Sequence, residues 1–290
     1  MRTMDRRGFL KAAGAAGLLA ARLAPAAEHA QGSLSFGLVT DVHYADTPSR
    51  GTRFYRDSLE KLRQAVETFN DRKLPMAVEL GDLIDAGATK SDELQYLRTI
   101  RREFEAFRGQ RHYVLGNHCV AMLTKEEFLA NCGSQHKESS YSFDLGGFHF
   151  VVLDADFTSD GSPYAPGNFF WVDTYIPAPQ REWLAEDLKQ SRDKRTIVFV
   201  HQDLHDQTAL CGVKNADEVR RILEAAGNVL AVFQGHEHAG GYVKIKGIHY
   251  VTLRAMIEGP GLKHNAYAIA TIDRSGRLRV EGFGRQTSKE

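Results

Sequence analysis

The sequence predicts an α/β protein with a mixed two-sheet core and helices on the outside. Through the first two thirds of the chain, short apolar runs alternate with helical patterns, which is typical of alternating strands and helices. In the last third, apolar runs follow one another at turn-like intervals and predict an antiparallel region. The chain has 290 residues, 42% of them hydrophobic, which is enough for one such domain with a sizeable core.

Each of the first six apolar runs predicts a short buried strand that ends in a polar loop. The runs are LSFGLVTDVH (34–43), PMAVELGDLID (75–85), HYVLGNH (112–118), FHFVVLDAD (148–156), TIVFVHQD (196–203) and NVLAVFQGHEH (228–238). Helix-like segments lie near 53–70, 92–108, 124–131, 179–191 and 216–226. The runs GIHYVTL, AYAIATID and RLRVEGF form the expected antiparallel region.

The first thirty residues have the layout of an export signal. Arg6 and Arg7 precede Gly8-Phe9-Leu10-Lys11, a short Ala/Gly/Leu stretch follows, and Ala24-Pro25-Ala26 offers small residues for cleavage. This arrangement resembles a bacterial twin-arginine signal, and a basic amphipathic first helix is the alternative. We therefore expect a signal peptide over 1–30 and one domain over 31–290, exported folded by the twin-arginine machinery to the periplasm or the medium. The apolar stretch is too short for stable membrane association.

The charge balance limits the class of ligand. Thirty-seven Lys and Arg residues match thirty-seven Asp and Glu residues, so no global field would hold a nucleic-acid polymer or an anionic membrane. A small phosphorylated substrate remains compatible with this balance. Cys119, Cys132 and Cys211 leave an odd thiol in an oxidising compartment, and a pairing of Cys119 with Cys132 stays open.

Side chains that can bind metals follow five of the predicted strands, where α/β sheets bind their ligands. They are Asp41 and His43 after the first strand, Asp82 and Asp85 after the second, Asn117 and His118 after the third, His201 after the fifth, and His236 and His238 after the sixth. A single Asp or His in such a place is usually ordinary turn chemistry, but five clusters together predict a metal site. Carboxylate, amide and imidazole donors suit Mn, Fe or Zn, and Asp82 has two oxygens with which to bridge two ions. Two ions about 3.5–4 Å apart can share a hydroxide that attacks a phosphoryl group in line.

The motifs DVH, GDLID and GNH, the lone His of VFVHQD, and GHEH resemble the five signatures of the calcineurin-like metallophosphoesterases. The resemblance implies a four-layer α-β-β-α sandwich with two mixed β-sheets. It implies one metal held by Asp41, His43, Asp82 and His238, and a second held by Asp82, Asn117, His201 and His236. It places His118 beside the substrate as a leaving-group acid or transition-state stabiliser that Asp85 orients. Many members have Asp or Glu after GNH, whereas this chain has Cys119, so Asp85 matters more.

Four longer segments are similar to the manganese-dependent ADP-ribose/CDP-alcohol diphosphatase branch of this superfamily. They are FGLVTDVHYAD, RFYRDSLEKL, GHEHAGGY and GIHYVTLRAMIEGPG. That branch commonly has Gln where this chain has His43, which bears on the substrate range more than on the hydrolytic chemistry. The resemblance implies manganese, and diester or pyrophosphate linkages in nucleotides or nucleotide-alcohols as substrates. Phosphomonoesterase or protein phosphatase activity, and a non-catalytic periplasmic metal-binding protein, are the alternatives; the His118–Asp85 pair argues against the last.

One long irregular segment, from about Ser159 to Pro179, exceeds ordinary loop length and is rich in Gly, Pro and aromatic residues. Its aromatic residues are Tyr164, Phe169, Phe170, Trp171 and Tyr175. One interpretation is a lid or wall on which a base stacks, a contact worth roughly 1–3 kcal/mol per base. The other is a satellite hydrophobic cluster that packs the loop down. The sequence leaves both open.

Overall fold

The structure is a computed structural model that describes residues 32–168, 170–206, 208–273 and 275–290. The predicted signal peptide at 1–30 lies outside the described residues. The strands are β1 (Ser33–Val39), β2 (Met76–Glu79), β3 (Gln110–Tyr113), β4 (Tyr141–Leu145), β5 (Phe148–Val152), β6 (Arg195–Phe199), β7 (Val229–Gln234), β8 (Gly241–Ile245), β9 (Ile248–Thr252), β10 (Ala266–Asp273) and β11 (Leu278–Gly284). The α-helices are α1 (Ser58–Asp71), α2 (Lys90–Glu105), α3 (Lys125–Cys132), α4 (Ala178–Gln190) and α5 (Ala216–Ala226), and Asn117–Val120 forms a 3₁₀ turn.

The strands form two mixed sheets, as predicted. One sheet has the order β11-β10-β1-β2-β3, with β1, β2 and β3 parallel and β10 antiparallel to both its neighbours. The other has the order β4-β5-β6-β7-β9-β8, with β5, β6, β7 and β9 parallel. Antiparallel strands β4 and β8 close its two edges.

The antiparallel prediction for the last third is correct for β10 and β11 and wrong for one pairing of β9. Strand β9 lies parallel to β7, because the unpredicted strand β8 precedes it and forms a hairpin with it. The exposed residues of β8 give it no clear apolar pattern, so the sequence shows little sign of this edge strand.

Three apolar layers show that the two sheets and the helices form a four-layer sandwich. Between the sheets, the ring of Phe36 on β1 lies 5.8 Å from Phe150, 5.9 Å from Phe199 and 5.7 Å from Phe233, measured between ring centroids, in edge-to-face contacts. A second apolar layer joins α1, α2 and α3 to the first sheet, and a third joins α4 and α5 to the other sheet. The predicted architecture is therefore confirmed.

The helices form where apolar and polar residues alternate at helical spacing, and two of them also have a side-chain cap at the first turn. In α1, Leu62, Val66 and Phe69 share one face and are buried against the first sheet. Thr89 begins α2 and Thr124 begins α3, each with a reciprocal capping box that satisfies free backbone amides. Within the described residues, no helix combines the length and hydropathy needed to cross a bilayer.

Candidate metal centre

The loops that follow β1, β2, β6 and β7 bring their polar side chains together. Nε2 of His43 lies 3.6 Å from Oδ1 of Asp41 and 3.5 Å from Oδ2 of Asp82. Nε2 of His238 lies 3.5 Å from Oδ1 of Asp41, and Nε2 of His201 lies 3.2 Å from Oδ2 of Asp82. Three groups have possible ligand atoms within 4.8 Å of one another: Asp41, His43 and His238; His43, Asp82 and His118; and Asp82, His201 and His236.

Asp82 stands between two sets of ligands and uses its oxygens differently. Its Oδ1 accepts a hydrogen bond from the backbone amide of His118 at 2.8 Å. Its Oδ2 faces His43 on one side and His201 on the other. The structure therefore offers a single oxygen, Oδ2, to both halves of the site.

Four of the site residues adopt left-handed backbone conformations that non-glycine residues rarely populate. They are Asp41 (φ 49°), His43 (φ 44°), Asp82 (φ 60°) and His236 (φ 65°). Backbone hydrogen bonds hold two of these turns, from the amide of Asp41 to Gly81 O at 3.0 Å and from the amide of His43 to Asp82 O at 2.8 Å. Each such conformation costs of order 1 kcal/mol or more, and clusters of them mark functional sites.

Two motif glycines allow the loops to approach this closely. A Cβ at Gly116, in GNH, would lie 2.5 Å from the backbone nitrogen of Asp82. A Cβ at Gly235, in GHEH, would lie 2.8 Å from Oδ2 of Asp41. Both distances are shorter than carbon atoms tolerate, so each glycine is needed because another motif packs against it.

The buried carboxylates and imidazoles of the site shift one another's pKa values. Burial alone would raise the pKa of Asp82, but His201 and His118 lower it well below the usual value. Burial opposes a charge on His201 and His43, yet nearby carboxylates raise the pKa of His201 to about 10 and that of His43 to about 9. Burial and the neighbouring His201 lower the pKa of His236 to about 3. The carboxylates are thus ionised and need cationic partners.

Unsatisfied polar atoms test whether these residues fit a metal. Among the buried atoms without a hydrogen-bond partner in the described part of the chain are three from the predicted ligands: Asp41 Oδ1, His43 Nε2 and Asn117 Oδ1. Buried polar atoms without a partner are rare and call for an explanation. Oxygen and imidazole donors without thiolate suit Mn, Fe or Zn. The residues therefore fit a transition-metal site.

Further contacts orient two of the imidazoles. Nδ1 of His201 lies 2.9 Å from the carbonyl oxygen of Leu80, and Nδ1 of His238 lies 2.6 Å from Oε1 of Glu258. Each contact suits a protonated Nδ1 and leaves Nε2 turned to the centre, as in many metal sites. Glu258 lies in a segment of the diphosphatase resemblance, GIHYVTLRAMIEGPG, but only the structure shows which residue it holds.

His118 and Asp85 are in direct contact, as the family resemblance implied. Nδ1 of His118 lies 2.5 Å from Oδ1 of Asp85, and the side chain of His118 is 22% exposed. The His118 ring stands edge-on to the ring of His43, with centroids 4.7 Å apart. Arg53 approaches the other oxygen of Asp85 at 3.8 Å. His118 is therefore oriented by a carboxylate while its ring borders a solvent-accessible pocket.

This pocket has a volume of about 430 Å³. Six predicted residues line it: His43, Asp82, Asn117, His118, His236 and His238. Arg53, Trp171, Cys211 and Glu237 complete the lining, and sequence reasoning assigned no catalytic or metal-binding role to any of these four. Asp41, Asp85 and His201 lie behind the lining in contact with it. The pocket is large enough for a phosphorylated small molecule.

In the irregular segment from Ser159 to Pro179, some aromatic residues fit the packing interpretation and others fit the wall interpretation. Tyr164 is 1% exposed, belongs to the core, and has its hydroxyl 2.9 Å from the carbonyl oxygens of Phe170 and Asp173, which matches the packing interpretation. Trp171 lines the pocket, with its ring centroid 5.7 Å from that of His236, and Phe170 is 60% exposed. Phe169 lies outside the described residues. Trp171 therefore forms part of the pocket wall.

The three cysteines are free thiols, so Cys119 and Cys132 do not form the disulfide that the sequence left open. Cys119 is fully buried beside the metal-binding loops, and burial raises the pKa of its thiol well above the usual value. A neutral thiol thus fills the position where many family members carry an acidic side chain.

A four-layer sandwich that presents this donor set at the carboxyl ends of its strands defines a dinuclear metallohydrolase. The family model described as calcineurin-like phosphoesterase matches residues 34–240, and the chain belongs to that family. It is accordingly a metal-dependent hydrolase of phosphoric esters.

Relatives of known activity resemble nearly the whole chain. The manganese-dependent ADP-ribose/CDP-alcohol diphosphatase of Arabidopsis thaliana is 27% identical over 301 residues, with 88% of this chain and 96% of the relative covered. A protein of the same name from Oryza sativa subsp. japonica is 29% identical over 270 residues, covering 78% of this chain and 84% of the relative. A solved dimetal phosphatase from Danio rerio has a TM-score of 0.77 at 26% identity, covering 88% of this chain and 98% of that chain.

Proposed function

We propose that this enzyme uses two manganese ions to hydrolyse pyrophosphate or phosphodiester bonds in nucleotides or nucleotide-alcohols. The observation that carries the proposal is one pocket that combines the metal-binding residues with His118, Arg53 and Trp171. The metal-binding residues and His118 suit the phosphate that reacts. Arg53 suits a second, neighbouring phosphate, and Trp171 suits a flat base. The names of the relatives support the same substrate class and the same metal.

We assign the ligands to two ions, with Asp82 contributing to both. One ion would be held by Asp41, His43, Asp82 and His238, and the other by Asp82, Asn117, His201 and His236. The short contacts within each set and the unpaired ligand atoms support this division. When bound, the ions supply positive charge to the phosphoryl oxygens and lower the pKa of water.

The protein's own residues act on the leaving group. The backbone amide of His118 donates to Oδ1 of Asp82, Nδ1 of its ring lies 2.5 Å from Oδ1 of Asp85, and the residue lines the pocket where a substrate would bind. We assign Nε2 the task of donating a proton or hydrogen bond to the departing oxygen. Arg53, on the pocket wall, is placed to bind the phosphate that does not react.

The test is a substrate panel with metal analysis of the purified protein. Chelation should abolish activity and Mn²⁺ should restore it, with two ions bound per chain. ADP-ribose or a CDP-alcohol should be hydrolysed with a kcat/KM at least about tenfold above that of a simple sugar phosphate, because only the former offer a base to Trp171 and a second phosphate to Arg53. Full activity with one ion per chain would contradict the dinuclear assignment.

Phosphomonoesterase activity is the second candidate, since the metal site alone suits either reaction. A substitution of Trp171 distinguishes the two activities. Trp171→Ala should reduce kcat/KM for nucleotide substrates by roughly 5-fold to 150-fold, the equivalent of about 1–3 kcal/mol of base stacking. Tyr175→Ala, in the same loop but lining a different groove, is the matched control. Efficient hydrolysis of small monoesters that neither change affects would favour the phosphatase.

We also propose that the chain is exported folded by the twin-arginine route, with residues 1–30 removed. The support is the order of Arg6-Arg7, the short apolar stretch and Ala24-Pro25-Ala26. Replacing Arg6 and Arg7 by Lys should leave active, uncleaved protein in the cytoplasm. Unchanged export of the double variant would contradict this route.

A further inference from the structure

Glu93 is a fully buried acid outside the metal-binding set. It lies in the first turn of α2, and its side chain has no exposed surface. Its Oε1 accepts a hydrogen bond from the backbone amide of Gly87 at 3.1 Å, and its Oε2 accepts one from the backbone amide of Met122 at 3.1 Å. One carboxylate thus joins two loops.

Those two loops carry the two members of the catalytic pair. Gly87 follows Asp85 by two residues, and Met122 follows His118 by four, just past the 3₁₀ turn Asn117–Val120. The two side chains meet at 2.5 Å, although they come from loops after different strands. Their contact therefore depends on the spacing between the loops, which Glu93 spans.

Several contacts fix the start of α2, and therefore the position of Glu93. The Thr89–Asp92 capping box closes its first turn, and Lys90 reaches Glu127 of α3 at 2.7 Å. A Cβ at Gly87 would lie 3.1 Å from Cγ of Glu93, so the loop after Asp85 packs directly onto the helix. The loop has little room to shift while the contact with Glu93 persists.

We propose that Glu93 is a positioning residue: it holds the Asp85 loop and the His118 loop at a fixed spacing, so that the imidazole of His118 stays aimed at the leaving group. The inference rests on the leaving-group role proposed for His118. Burial raises the pKa of Glu93 to about 7, even though the backbone amides of Gly87 and Met122 oppose the shift. Burying an acid here costs free energy of folding. In return, each of its two oxygens accepts a hydrogen bond from a different loop.

The test is Glu93→Gln, which has the same shape but a single acceptor oxygen, so it cannot receive both amides. The substrates are two phosphodiesters of a nucleoside 5′-monophosphate, one a 4-nitrophenyl ester and one an alkyl ester, so that P–O cleavage expels either nitrophenoxide or a basic alkoxide. We expect kcat for the alkyl ester to fall about tenfold, as part of the roughly 10²–10⁴-fold that general acid catalysis supplies. The nitrophenyl ester should lose much less, and the manganese content should not change.

Glu103→Gln is the matched control, because it makes the same change on the same helix, where the carboxylate pairs with Arg63 of α1. It should leave the ratio of the two kcat values unchanged. If Glu93→Gln fails to fold, the shorter acid in Glu93→Asp is measured in the same way. Equal slowing of both esters, or no slowing, would overturn the positioning role.

A double variant separates this inference from the proposed function. If Glu93 acts through His118, then Glu93→Gln should cause no further loss of kcat on the alkyl ester in a His118→Ala background. Additive losses would show that Glu93 acts elsewhere, while the role of His118 would stand. Equal slowing of both esters by His118→Ala alone would instead remove the leaving-group role and the positioning role together.

Discussion

At the scale of single residues, the neighbours Asn117 and His118 have different surroundings, and the proposed function therefore gives them different tasks. Oδ1 of Asn117 is buried and unpaired among the described residues, whereas Nδ1 of His118 contacts Asp85. Asn117→Ala should therefore lower metal occupancy, measured by elemental analysis at limiting Mn²⁺. His118→Ala should keep both ions and lose roughly 10²–10⁴-fold in kcat on substrates with basic leaving groups.

Asp85→Asn should give a milder loss of the same kind, because it weakens the orientation of His118 without removing the imidazole. The measurement is kcat for leaving groups of increasing pKa, compared with the wild type. A steeper dependence on leaving-group pKa is expected for both variants. Loss of a metal ion from His118→Ala would instead make His118 a ligand.

Glu258 should control metal affinity through His238. Its Oε1 holds Nδ1 of His238 at 2.6 Å, so Glu258→Gln should weaken Mn²⁺ binding about 10–100-fold, as is typical when a residue that orients a ligand is changed. Calorimetric titration of Mn²⁺ into the metal-free protein measures this change in affinity. Glu281→Gln, which alters a surface ion pair with Arg72, is the control and should bind Mn²⁺ like the wild type. Equal affinities for the two variants would show that Glu258 does not orient His238.

At the scale of elements, His149 joins the β4–β5 hairpin to α4. Its Nδ1 lies 2.9 Å from Oδ1 of Asp144, and its Nε2 lies 2.8 Å from Oδ2 of Asp187. Burial disfavours the charged imidazole, but the two carboxylates outweigh burial and raise the pKa of His149. The stabilisation is therefore fully present below the unfolded-state pKa of about 6.5 and is lost as the pH rises through the higher folded-state value.

The free energy of unfolding of His149→Gln, compared with the wild type by urea titration from about pH 6 to pH 9, tests this linkage. The difference should shrink as the pH rises. His249→Gln provides a control of opposite sign, because burial and Lys244 lower the pKa of His249, so its charge opposes folding at low pH. A difference for His149→Gln that does not vary with pH would show that its contacts with Asp144 and Asp187 are not ionic.

At the scale of the whole molecule, metal binding should join the two sheets. Asp41, Asp82 and Asn117 come from loops of the first sheet, whereas His201 and His236 come from loops of the second. Manganese at about 100 times its dissociation constant should add about 2.7 kcal/mol per independent site to the free energy of unfolding. The melting temperature should rise by roughly 5 °C or more over the chelated protein, in a single transition.

Asp82→Ala removes the shared carboxylate and should abolish most of this rise, which calorimetry of the variant with and without Mn²⁺ would show. A full rise in the variant would mean that the ions bind without the shared carboxylate. Separate melting of two parts would mean that the sheets do not unfold as one unit.

The sequence by itself determined the α/β class, the two-sheet core, the family resemblance and the residues that converge at the centre. It did so because turn motifs and strand patterns are local, and because donors that follow successive parallel strands meet at one edge. The tertiary structure decided that Oδ2 of Asp82 faces both sets of ligands, that Glu258 orients His238 and that Glu93 spans two loops. It also decided that Tyr164 packs inward while Trp171 lines the pocket. Such contacts join segments far apart in the chain, so they depend on how the layers pack, which no local pattern records.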